Sequence, residues 1–117
     1  MYNRLGKEVN ILLRKAINTK RCIIFESHSL YQSNIPVSLA AKTADLSIHS
    51  NLYAGSASIE SALTGTPTII LDRENDLNNQ LYTLSNKNII YNNWPDLNEI
   101  LKSFINNDLG SEIGNWN

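Results

Sequence analysis

Long apolar runs are missing from this sequence, so nothing in it approaches the roughly 20 residues needed to cross a bilayer. Paired cysteines are missing too. Cys22 stands alone, which rules out an internal disulfide and fits a reducing compartment, because secreted domains of this size usually carry cystines. No block of like charge occurs: ten basic and eleven acidic residues are interspersed for a net charge of -1, and no basic face is set aside for nucleic acid. Neither G-x-G-x-x-G nor a P-loop sequence is present, which disfavours a dinucleotide dehydrogenase or a P-loop NTPase. The start, Met1-Tyr2-Asn3-Arg4, leads into an amphipathic pattern and not into a signal-peptide core. The cytoplasm is the expected location.

What is present describes a globular chain. Its 117 residues are 42% hydrophobic and 18% charged, enough for one core and too apolar for disorder. Leu5, Val9, Leu12, Leu13, Ala16 and Ile17 recur at helical spacing, predicting a surface helix over Tyr2 to Thr19. Cys22-Ile23-Ile24-Phe25 reads as a strand buried on both faces. Pro36 suits the first turn of a helix carrying Val37, Leu39, Ala40 and Ala41. Further strands are expected at Leu46 to His49, Thr68 to Leu71 and Asn88 to Tyr91. Between them, Ala57 to Thr64 is a helix stopped by Gly65 and Pro67, and Leu77 to Leu84 a short helix. Pro95 opens the last helix, whose stripe is Leu97, Ile100, Leu101, Phe104 and Ile105. Trp94 and Trp116 are read as packing residues. The expected organisation is one domain over residues 1–105 and a loop-like tail over 106–117. Alternating strands and helices predict an α/β class, with a parallel sheet covered by helices on both faces.

In open α/β sheets, ligands sit beyond the carboxyl ends of the strands. The strand ending at His49 runs through a small-residue loop into the helix at Ala57. Gly55, Ser56 and Ala57 allow an anion to approach backbone N–H groups where the helix offers about half a positive charge. Glu60, one turn further on, can accept hydrogen bonds from a ribose diol or can be an ordinary solvated carboxylate. His49 can touch a ligand or serve as a loop hydrogen-bonder. Arg73 can pair with a diphosphate through its planar fork or stay solvated. Glu26 and His28 form either an acid/base pair or a polar strand end. Glu74 and Asp76 lack further ligand candidates, so no metal site is expected.

The run Ala44-Asp45-Leu46-Ser47-Ile48-His49, followed by Gly55-Ser56-Ala57-Ser58-Ile59-Glu60 and then Gly65-Thr66-Pro67-Thr68-Ile69-Ile70-Leu71-Asp72, resembles the donor-site signature of glycosyltransferases of the two-Rossmann-domain (GT-B) type. In that family a strand with an Asp precedes a small-residue loop, a helix with a Glu, a G-x-P stop and an apolar strand. Asn34-Ile35-Pro36-Val37-Ser38-Leu39-Ala40 and Leu71-Asp72-Arg73-Glu74 are similar to bacterial transferases of surface-carbohydrate biosynthesis. The likeness covers about Cys22 to Trp94. It implies a Rossmann-like donor domain in which Gly55, Ser56 and Ala57 hold the diphosphate of a nucleotide sugar and Glu60 holds its ribose. It also implies a substrate and no cofactor, and peripheral contact with a membrane through a lipid-linked acceptor.

A complete enzyme of this type also has an N-terminal acceptor domain, and its donor domain begins with a strand. This chain opens on a helix. The expected role is therefore a donor-binding module for surface-polysaccharide synthesis, hexosyltransferase-like and inactive until an acceptor domain completes it. Two other readings stand beside it: a non-catalytic interaction subunit of a split transferase, and a fragment of a nucleotide-sugar epimerase.

Overall fold

The computed structural model describes residues 6–25, 35–52, 56–83, 88–106 and 113–116. The chain divides into two compact units, Met1–Pro36 and Val37–Asn117.

In the first unit, helix α1 spans Lys7–Asn18. Its end needs no glycine: Thr19 N–H donates to Ala16 O at 3.2 Å, and Lys20, at φ 62°, donates to Ile17 O at 2.9 Å. The left-handed residue satisfies carbonyls that the last turn would otherwise leave open. The strand expected at Cys22 to Phe25 does not form, and Ile23 is 77% exposed. A strand exists only through its ladder, and no described ladder reaches these residues.

The second unit holds α2 (Val37–Lys42), β1 (Ser47–His49), α3 (Ala57–Leu63), β2 (Thr68–Leu71), a 3₁₀ turn at Gln80–Thr83, β3 (Ile90–Tyr91) and α4 (Trp94–Ile105). The strands form a parallel sheet in the order β1-β2-β3. Ser47 pairs with Thr68, His49 with Ile70 and Leu71 with Tyr91. The central strand, β2, is buried along its whole length.

Strand alternation assigns the two faces. Ile69 and Leu71 turn one way and meet Leu97 and Ile113 in the core, with Tyr91, Ile100, Leu101 and Phe104 packed around them. The stripe of α4 therefore covers this face. Ser47 and His49 turn the other way, onto α3, where Ser61 hydrogen-bonds both side chains. Helices cover both faces, as the α/β pattern implies. Ile105, placed on the buried stripe by its spacing, is instead exposed.

Local chemistry explains the ends of these elements. Asn93 caps α4: its Oδ1 accepts from Asp96 N–H at 2.9 Å while its Nδ2 donates to Asp96 Oδ2 at 2.9 Å. One free backbone amide of the first turn is satisfied this way, with Pro95 just inside. Gly65 stops α3 at φ 86°, and Thr66 Oγ1 donates to Ala41 O at 2.8 Å, closing the end of α2. The helix expected over Leu77 to Leu84 is reduced to the 3₁₀ turn, and Leu84 lies outside the described residues. Asp76 Oδ1 accepts from Asn78 N–H at 3.3 Å and Asn79 Oδ1 from Leu81 N–H at 2.9 Å, so side chains take amides that a helix would need.

Part of the expected tail is woven into the sheet. Gly114 O accepts from Thr68 N–H at 2.9 Å, Gly114 N–H donates to Asn88 O at 3.0 Å, and the Trp116 indole N–H donates to Thr68 O at 2.8 Å. Gly114 thus bridges the starts of β2 and β3. Among the described residues no helix is long and apolar enough to cross a membrane.

Candidate functional site

The carboxyl ends of β1 and β2 open onto a cavity of about 380 Å³ lined by Ser50, Asn51, Asp72, Arg73 and Glu74. It lies at the edge where parallel sheets bind ligands. Arg73 is exposed and forms no ion pair among the described residues. Its five N–H donors are therefore open to an anion.

The residues expected at the start of α3 are distributed differently. Gly55 lies outside the described residues, as do Glu26 and His28. Ser56 stands at the N-cap but makes no side-chain cap; its hydroxyl donates to Glu60 Oε1, while Glu60 N–H donates to Ser56 O at 2.8 Å. Ala57 is the first helical residue. The Glu60 carboxylate is thus folded back toward the amino end of α3, where negative charge is favoured. Among the described residues its bonded partner is Ser56, the residue just before the helix. A diphosphate at the same amides would meet that charge, so binding there requires the carboxylate to turn toward a neutral partner such as a ribose diol.

His49 faces α3 and not the cavity. Its Nε2 lies 2.8 Å from Ser47 Oγ and 3.2 Å from Ser61 Oγ, and Ser61 Oγ donates onward to Ala57 O at 3.0 Å. Burial lowers the imidazole pKa below its ordinary 6.5, favouring the neutral ring. In this geometry His49 ties the strand to the helix.

Reading the sequence missed the group that organises this edge. Asp72, only 2% exposed, accepts from Glu74 N–H at 3.1 Å through Oδ1, and from Asp76 N–H at 3.0 Å and Tyr82 OH at 2.5 Å through Oδ2. Asn92 Nδ2 in turn donates to Tyr82 OH at 2.8 Å. Burial first, and then the bond to Asp72, raise the Tyr82 pKa above its ordinary 10.0. The available signal was an aspartate directly after an apolar strand and before a run of turn formers. Among the described residues, no group of three or more His, Cys, Asp or Glu side chains could hold a metal ion. A second cavity, about 250 Å³, lies at the opposite edge against Thr66, Pro67 and Trp116.

Comparison with family models, curated proteins and solved structures returns no match for this chain.

Proposed function

We propose that the second unit binds the diphosphate part of a nucleotide-activated sugar at the carboxyl edge of its sheet, as the donor-binding module of a GT-B-type glycosyltransferase in surface-glycan synthesis. One observation carries this reading. A cavity beyond the ends of β1 and β2 holds an arginine without a carboxylate partner among the described residues, next to Ser50 and Asn51, which lead on from β1. Arg73 supplies the bidentate fork that suits a phosphate, and the amino end of α3 adds a partial positive charge. Glu60 is the acceptor for the ribose diol, exchanging its bond to Ser56 for two to the sugar. Transfer itself requires an acceptor domain, on this polypeptide or on a partner.

Calorimetric titration of the chain with uridine, guanosine and cytidine diphosphates tests this. At least one is expected to bind, with Arg73→Ala and Glu60→Ala each weakening it by about tenfold or more while the far-ultraviolet spectrum stays unchanged. Unaltered affinity in both variants would sink the assignment.

Exposed apolar side chains support a second reading, a non-catalytic interaction subunit. Leu39 on α2, and Ile59 and Leu63 on the neighbouring α3, are all exposed, Leu63 at 81%. Failure to bind any diphosphate, together with recovery of an acceptor-domain protein in a pull-down, would favour this alternative.

A further inference from the structure

We propose that Asp72 is a positioning residue for the carboxyl-edge cavity: its buried carboxylate fixes where Arg73 stands, and the Tyr82 hydroxyl holds that carboxylate in place. The inference rests on the diphosphate reading above and adds to it what sets the affinity of the site. Three donors converge on Asp72, two of them backbone amides of the segment that follows it. Residues 72–76 are therefore wrapped around their own first side chain, with Asn75 in the left-handed region at φ 56°. Arg73 is the only residue between the carboxylate and the first amide it captures, so the wrap leaves it on the rim of the cavity beside Glu74, opposite Ser50 and Asn51.

The anchor for the wrap comes from elsewhere in the fold. Tyr82 belongs to the 3₁₀ turn, and Asn92, which bonds its hydroxyl, directly follows β3. One chain of hydrogen bonds thus ties the ends of β2 and β3 to the intervening turn. Asp72 also lines the cavity, but three of its lone-pair positions are already taken by donors within the protein. Asp72 contributes through Arg73 and not by touching the ligand. An arginine on an ordered backbone loses less conformational freedom on binding than one on a loose loop.

The test is a double-mutant cycle on the full chain, titrated with the nucleoside diphosphate that binds it most tightly. Tyr82→Phe keeps the ring and removes the bond to Asp72, which avoids the folding risk of substituting the buried aspartate. Arg73→Lys keeps the charge and loses the fork. Tyr82→Phe is expected to weaken binding about fivefold in the natural chain and less than about twofold in the Arg73→Lys chain, because a single ammonium does not depend on the orientation of the loop. General destabilisation would lower affinity by the same factor in both. Equal factors, or wild-type affinity in Tyr82→Phe, would overturn the positioning role and leave the diphosphate reading intact. Absence of binding by the natural chain would instead refute that reading, and the positioning role with it.

Discussion

Replacing Gly114 with alanine probes the most crowded of the described glycines. At φ 66° the residue lies where an L side chain is strained by about 1–2 kcal/mol. A Cβ there would also stand 2.5 Å from Thr68 N, 3.0 Å from Pro67 C and 3.0 Å from Thr68 C, all backbone atoms of the central strand's entry. Relief requires moving 113–116 away from the sheet. That weakens the bonds of Gly114 to Thr68 and Asn88, worth about 1 kcal/mol each, and lifts Ile113 from a site where it is 1% exposed. The expected loss is about 3–5 kcal/mol, a large part of the roughly 5–15 kcal/mol that holds a domain folded. Two other glycines separate strain from collision. Gly65→Ala, at φ 86° with open space around it, should cost about 1–2 kcal/mol, and Gly6→Ala, with neither problem but at the N-cap of α1, about 0.5 kcal/mol. Urea unfolding followed by circular dichroism reads all three. A Gly114→Ala chain within about 0.5 kcal/mol of the natural one would refute the bridging role.

Three more predictions follow from packing and burial. Leu97→Ala opens the cluster shared with Ile69, Leu71 and Ile113 and should cost about 3 kcal/mol, whereas the exposed Ile105→Ala should cost under about 0.5 kcal/mol in the same unfolding assay. Tyr91→Phe should be neutral or stabilising by up to about 1 kcal/mol, since the buried hydroxyl has no partner among the described residues; a clear loss in midpoint would contradict this. His49 has a folded-state pKa below its unfolded 6.5, so between those values the unfolded chain binds more protons. Its contribution is therefore complete above pH 6.5 and declines as the pH falls through the folded value, and His49→Gln should flatten that part of a stability-versus-pH curve.

The parts of the fold that were legible in the sequence depend on local chemistry. Thr68 to Leu71 is an apolar run bounded by Pro67 and Asp72, and it forms a strand with those limits. The stop of α3 at Gly65 follows from a positive-φ glycine and a nearby proline, and the stripe from Leu97 to Phe104 does face the core. The departures depend on partners distant in the chain. Cys22 to Phe25 has the composition of a buried strand but no ladder among the described residues, and 113–116 has no periodicity yet is held by Thr68, more than 40 positions earlier, and by Asn88. At Leu77 to Leu84 the competition was local but was settled by Asp76 and Asn79, whose amide bonds cannot be read from spacing. The candidate site divides in the same way. Arg73 after β2 could be placed from the strand end alone, while the turn of His49 onto Ser61 and the convergence on Asp72 depend on side chains ten or more residues away.

The hydrogen bonds that Gly114 and Trp116 make to Thr68 also have a consequence for biosynthesis. The amino-terminal end of the central strand waits for residues made more than 40 codons later. At roughly 5–20 residues per second that interval lasts seconds. Until then the ends of β2 and β3 that Gly114 later joins remain unbridged, and the nascent chain relies on whatever shields such edges in the cell.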